Sequence, residues 1–250
     1  MFSAKRVTIR FGGLTAVNQV SLDIHDGKVT ALIGPNGAGK TTFFNIISGV
    51  YTPNEGEMTL DGKNLVGLKP YQIMHEGMAR TYQVINLFRE MTAAENVMVG
   101  MHTRLKCGYF AAILRTRKQR AEEAAARVKA LEWLDFVGLK NRASDNAGSL
   151  SYGDQRKLEI ARALASDPKV LLLDEPAAGM NSSEKEELNL LLKKIVALGV
   201  SVLIIEHDMK LIMGIADYIY VLNYGRKIAE GTPSEIQSNP EVIKAYLGGE

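Results

Sequence analysis

The sequence predicts an α/β fold in which a strand-and-helix core follows an antiparallel ribbon and carries an inserted α-helical subdomain. Three observations lead there. Apolar and polar residues alternate through the first stretches, "KRVTIRF" and "AVNQVSLDI", as they do in strands with one wet face. Continuously apolar runs, "KVTALIG", "KVLLLDEP" and "VSVLIIEH", read as strands buried on both faces, with helical patterns between them. The middle of the chain keeps a helical period from about Thr92 to Leu139.

Taken in order, the ribbon ends at an Asp26-Gly27 turn, and "KVTALIG" runs through a glycine-rich loop into the helical "KTTFFNIISGV". "NEGEMTLDGKNL" adds a strand and a turn. In the insert, Val128, Leu131, Leu134 and Val137 recur at helical spacing and predict the apolar face of one long helix, with Gly138 as its stop. Farther on, "SSEKEELNLLLKKIVALG" reads as a helix opened by a serine cap and closed by Gly199, followed by the strands "VSVLIIEH" and "ADYIYVLNYG". The expected organisation is one domain over residues 1–250, with a core at about 1–85 and 160–250 and a helical subdomain at about 86–159.

The totals narrow the functions available. At 250 residues and 46% hydrophobic content the chain can bury a full core. Thirty basic and 28 acidic residues leave a charge of +2, too small to point to nucleic acid as a partner. The single cysteine, Cys107, can form no internal disulfide and offers no zinc spacing. Apolar runs such as "VLLL" at 170–173 fall far short of the roughly 20 residues a spanning helix needs, so the chain is expected not to cross a membrane by itself.

Chemistry concentrates in three places. "GPNGAGKTT", residues 34–42, fits the phosphate-binding pattern G-x-x-x-x-G-K-[ST] and sits between a predicted strand and a predicted helix, as the core of a P-loop NTPase (RecA-like) requires. Gly34, Asn36, Gly37 and Gly39 let backbone N–H groups converge on phosphate oxygens. Lys40 reaches the β- and γ-phosphates, the Thr41 hydroxyl is placed to ligate Mg²⁺, and Thr42 adds a contact on the α-phosphate side. "KVLLLDEP" delivers Asp174 to a neighbouring strand end, where the metal would lie. Glu175 follows at once, and since adjacent carboxylates on a strand point to opposite sides the two cannot share one job: Glu175 suits the attacking water as base or orienter. The bland reading of these two acids is a solvated strand end. "LSYGDQ", residues 150–155, opens an amphipathic helix whose first N–H groups and dipole face an anion.

In this order and at these separations, "GPNGAGKTT", "LSYGDQRK" and "VLLLDEP" resemble the motifs of the ATP-binding cassette ATPases over essentially the whole chain. The resemblance implies ATP and Mg²⁺ as cofactors and two cassettes packed head to tail. The Ser151 hydroxyl, the Gly153 N–H and Gln155 of one would then cap the γ-phosphate held by the other. The commonest form of this signature, Leu-Ser-Gly-Gly-Gln, differs at Tyr152 and Asp154; Tyr152 is expected to point away and Asp154 to face outward. By the same resemblance Gln83, in "ARTYQVINLF", senses Mg²⁺ and the water, and His207 contacts the γ-phosphate. Asn181 stands where many relatives carry aspartate. Phe11 is the candidate for stacking on adenine, with simple core packing as the competing role.

The job implied is that of the ATPase subunit of a membrane transporter, a peripheral protein on the cytoplasmic face of the cell membrane. Its partners would be a second cassette, integral permease subunits and, indirectly, a solute-binding protein. The permease is expected to dock on "NLFREMTAAENVMVGMH", residues 86–102, a segment that also serves as helical core; Met91, Met98 and Met101 read as adaptable packing. The rival class is a soluble clamp on nucleic acid or ribosomes. "ARTYQVINLF", "DEPAAGMN" and the extended insert look like the cassettes of bacterial branched-chain amino acid importers, with urea uptake and lipopolysaccharide export as neighbouring alternatives. The "RTRKQR" run is most simply a solvated helix face.

Overall fold

In the amino-terminal ribbon, β1 (Phe2–Phe11) pairs antiparallel with β2 (Leu14–Ile24). The buried apolar residues of β1 are Phe2, Ala4, Val7 and Ile9, a spacing that breaks the two-residue period between Ala4 and Val7. The ladder slips there, with Arg6 in the left-handed region at φ 48°, and slips again in β2, where Gln19 takes φ 51° between Val17 and Val20. Each bulge absorbs one residue, so both apolar sets stay on the inner face. A computed structural model provides this description, which covers residues 1–102 and 116–247. Cys107 and the start of the basic run at 115 lie outside it.

The described chain divides into two compact units, one of residues 1–83 and 169–250 and one of residues 84–168. The first unit holds two sheets. The ribbon continues through β4 (Glu55–Leu60) and β5 (Lys63–Asn64) in the order β2-β1-β4-β5. The second sheet has the order β10-β9-β3-β8-β7-β6, formed by β3 (Val29–Ile33), β6 (Met78–Arg80), β7 (Val170–Asp174), β8 (Ser201–Ile205), β9 (Tyr218–Asn223) and β10 (Arg226–Gly231). All of its pairs are parallel except β9 with β10.

Every residue of β3, β7 and β8 is buried, as their unbroken apolar runs require. Helix α1 (Lys40–Ile47) presents Phe43, Phe44, Ile46 and Ile47 to a core they share with Phe2 and Val7 of the ribbon and Leu172 and Leu203 of the parallel sheet. Each of these fully buried side chains contributes about 1.5–3 kcal/mol of transfer free energy. Helix α2 (Pro70–His75) leads into β6.

The second unit contains α3 (Ala93–Gly100), α4 (Arg117–Phe136) and α5 (Tyr152–Leu164). Thr92 and Glu95 form a capping box at the start of α3, and the buried Asn96 side chain bonds the Phe88 N–H and the Phe88 and Thr92 carbonyls, fixing the preceding loop. At Gly100 a Cβ would lie 2.1 Å from the Arg162 carbonyl, so the close approach of α3 to α5 depends on this glycine.

Three expectations need correcting. Val128 is exposed; the inner stripe of α4 is Ala126, Ala130 and Leu134, continued by Val137, because small alanines at four-residue spacing let the neighbouring helices approach. The cap of α6 (Ser182–Ala197) is Asn181, whose Oδ1 accepts the Glu184 N–H at 3.0 Å while Glu184 answers the Asn181 N–H, so Ser182 is already inside the helix. The expected return to the core near residue 160 falls inside α5, and the division instead comes at Lys169. The remaining helices, α7 (Met209–Ile215), α8 (Pro233–Gln237) and α9 (Pro240–Leu247), belong to the first unit.

Candidate nucleotide-binding and hydrolysis site

Parallel pairing brings the carboxyl ends of β3, β7 and β8 side by side, and the chemistry sits just past each end. After β3 comes the glycine loop. Gly39 caps α1 in the left-handed region at φ 96°, and a Cβ there would stand 2.6 Å from the Ala16 carbonyl; no other residue fits both demands. Helix α1 has no side-chain cap and no acid in its first turn, so its leading N–H groups face outward without a competing acceptor from the helix itself. Gly34 is packed against Leu222, while Asn36 and Gly37 are exposed.

The loop borders a cleft of about 580 Å³ whose lining includes Asn36, Gly37, Gly39, Lys40, Thr41, Thr42, Gln83, Glu175 and His207. Lys40 is buried, its Nζ donating to the Gly34 and Pro35 carbonyls at 2.7 and 2.9 Å. Burial pushes the Lys40 ammonium below its ordinary pKa, against the opposing pull of Glu175 and Asp174.

Asp174 ends β7 with Oδ2 accepting from Arg80 at 2.9 Å. Glu175 lies beyond the strand in the left-handed region at φ 48°, its N–H bonded to the Ile205 carbonyl. The two carboxylates therefore diverge because the backbone turns over at Glu175, and strand alternation is not the cause. Glu175 Oε1 lies 2.5 Å from His207 Nε2 and Oε2 accepts from Gln83 Nε2 at 2.8 Å. Gln83, Glu175 and His207, expected separately from the sequence, thus form one constellation at the cleft. A carboxylate held by an amide on one side and an imidazole on the other can orient a water and accept its proton.

The oxygen donors available for a metal are the Thr41 hydroxyl, the Asp174 carboxylate and the Gln83 amide. All are hard ligands of the kind Mg²⁺ takes, and one or two protein oxygens together with phosphates and water complete its shell. The residues present fit that ion.

Phe11 is not in the cleft lining. It is half exposed and packs edge-on against Tyr51 with ring centroids 5.2 Å apart, while Leu14 and Tyr224 line the cleft.

In the second unit, Ser151 caps α5 by accepting the Asp154 N–H at 3.2 Å, which leaves its hydroxyl proton to donate elsewhere. Gly153 is buried in the first turn. Gln155 spends its amide on the Leu150 carbonyl at 2.9 Å and so closes its own loop. Tyr152 folds back over Arg156, its hydroxyl 3.3 Å from the guanidinium, and Asp154 is half-buried.

Four residues that shape these sites carry no sequence expectation. Arg80 holds Asp174; Arg156 and Glu159 form a fully buried ion pair at 2.8 Å beneath the start of α5. Buried Glu206 accepts the Ala177 and His207 N–H groups at 2.7 and 3.1 Å, joining the segment after Glu175 to the His207 turn. Desolvation raises the pKa of Glu206, only partly offset by those N–H bonds. The last three could have been suspected from charged residues standing inside otherwise apolar patterns; Arg80 carried no such mark.

Comparisons with known proteins agree with this geometry. The profile of the family described as ABC transporter matches residues 17–178, and one described as branched-chain amino acid ATP-binding cassette transporter matches residues 226–250. The chain is 48% identical over 249 residues to the high-affinity branched-chain amino acid transport ATP-binding protein LivG of Salmonella typhimurium, covering 99% of this chain and 98% of the relative. Among solved structures, a nucleotide-free ATP-binding cassette from an ABC transporter superposes with a TM-score of 0.87 at 31% identity, covering 100% of this chain and 99% of that one. A dimeric cassette in a post-hydrolysis state, bound to ADP and Pi, gives 0.77 at 28% identity over 93% of this chain and 99% of that one.

Proposed function

The chain belongs to the ATP-binding cassette transporter family, and from that premise we propose that it is the ATPase subunit powering a branched-chain amino acid importer. It is an ATPase of that family; the substrate assignment is supported by the carboxyl-terminal match at residues 226–250 together with the near full-length likeness to LivG. No described helix is long and apolar enough to cross a membrane; the spanning path of the proposed importer is assigned to permease chains.

The observation that carries the chemistry is the convergence of Gln83, Glu175 and His207 beside the Lys40 cradle. In the proposed cycle the α1 N-terminus and Lys40 bind the phosphates and neutralise their charge. Thr41 and Asp174, with Gln83 near, would hold Mg²⁺, which would supply charge withdrawal from the phosphates. Glu175 orients the water and takes its proton, and His207 holds the Glu175 carboxylate in place. Ser151 and the Gly153 N–H of a second cassette, packed head to tail, donate to the γ-phosphate from the open side. Each cassette thus contributes half of two equivalent sites.

The permease docks on residues 86–102, on the cytoplasmic side of the membrane. Phe88 and Met91 expose large apolar surface there, while Ala93, Ala94 and Val97 turn inward, so one segment serves contact and core together. Co-purification from membranes identifies the partners: the expected result is an integral permease pair and a second cassette. Recovery with ribosomes or nucleic acid in their place overturns the transport reading. For the mechanism, Glu175→Gln is expected to keep ATP binding, form an ATP-dependent dimer and lower turnover by about 10²–10⁴-fold. A variant that stays monomeric in size-exclusion chromatography at saturating ATP counts against it.

A further inference from the structure

Arg80 ends the edge strand β6, three residues before Gln83, and its guanidinium is nearly enclosed, with side-chain exposures of 8% for Arg80 and 4% for Asp174. One arm donates to Asp174 Oδ2 at 2.9 Å. The other donates to Asn45 Oδ1 at 2.8 Å and Ser48 Oγ at 2.6 Å, both on or just after α1. Its planar face lies 4.9 Å from the Tyr82 ring and 5.6 Å from the Phe44 ring. A single cation therefore bridges the helix that follows the phosphate loop, the strand that carries the metal carboxylate and the segment that leads to Gln83. Lysine could not make these contacts at once, since they need a fork and a flat face.

We propose that Arg80 is a positioning residue that balances and aims Asp174, and that by holding this carboxylate it sets how tightly the site takes its divalent cation. A fixed positive charge beside Asp174 repels an incoming cation and competes for the same carboxylate. At the same time it offsets part of the cost of burying the Asp174 carboxylate and fixes the direction of that group. Arg80 thereby trades metal affinity for a carboxylate in the right place. The inference rests on the reading of Asp174 as the carboxylate that faces the metal.

The experiment measures Mn²⁺ binding by electron paramagnetic resonance to the full chain saturated with ADP, alongside ATPase turnover. In Arg80→Gln, Mn²⁺ affinity is expected to rise on the order of tenfold, as removing one charge near a divalent ion implies, while turnover falls. Damage to the fold alone would lower both. Arg80→Lys retains the charge and is expected to keep Mn²⁺ affinity within about twofold of the parent while losing part of the turnover. An affinity that is unchanged or weaker in Arg80→Gln overturns the proposal. Should that variant not fold, Asn45→Ala loosens the guanidinium from its other side and is expected to raise Mn²⁺ affinity by a smaller factor; no shift there overturns it equally. Asp174→Asn separates the two layers of argument. If it leaves Mn²⁺ affinity intact, the underlying metal assignment fails; if it weakens Mn²⁺ while Arg80→Gln does nothing, only the role of Arg80 fails.

Discussion

Helix α1 starts at Gly39 with no side chain closing its N-terminus and no acid in its first turn, whereas α5 starts with Ser151 bonded to the Asp154 N–H and with the Asp154 carboxylate in its first turn. The same partial positive charge sits at both ends. In α1 nothing from the helix competes for it, and a buried lysine is added. In α5 the chain already satisfies part of its own demand through the Ser151 cap, and the buried Arg156–Glu159 pair fixes the first turns from below. The difference fits the proposed roles: the first helix would bind phosphate by itself, and the second would complete a phosphate site that another cassette has mostly filled. α3 and α6 have full capping boxes and belong with neither.

This contrast can be broken at either helix. The largest effect is expected from Lys40→Ala, which removes the only lysine or arginine among the described residues of the cleft lining: hydrolysis should fall by about 10²–10³-fold, and ATP affinity of the isolated chain should fall with it in a fluorescent-nucleotide titration. Retained affinity would mean that α1 does not bind phosphate unaided. Ser151→Ala should be milder and of a different kind. The lost cap costs about 1 kcal/mol of stability, visible in urea unfolding, and turnover by the paired cassettes drops while ATP affinity of the single chain stays put. A drop in single-chain affinity would erase the distinction between the helices. The smallest change belongs to Asp154→Asn, where loss of a favourable charge–dipole contact is offset by less repulsion of the γ-phosphate; ATP affinity should move by less than about threefold. A marked gain would show that Asp154 faces the nucleotide.

Much of the core could be read from sequence because its signals are local. Continuous apolar runs require two covered faces, and β3, β7 and β8 are covered on both; "GPNGAGKTT" and "VLLLDEP" specify loop and carboxylates within a few residues. Gln83 and His207 could be named singly, but their meeting at Glu175 depends on strand order, which no local pattern contains. Arg80 was missed for the same reason, since its carboxylate partner lies across a strand pair and 94 residues away. In the insert the error had another source. Val128 looked like core by hydropathy, yet contact between helices is made through alanines, whose value comes from the close approach they permit rather than from their own area. Ser182 lost the cap to Asn181 because the Asn side chain and Glu184 satisfy two orphan N–H groups together.

The left-handed backbone at Glu175 bears on how this position would tolerate exchange in a saturation library. Glycine, asparagine and aspartate accept that conformation easily, so they should be well represented among folded, expressed variants and absent among active ones. Valine, isoleucine and threonine, whose branched Cβ crowds a positive φ, should disappear from both pools. A single site would then sort the alphabet twice, once by backbone geometry and once by proton chemistry.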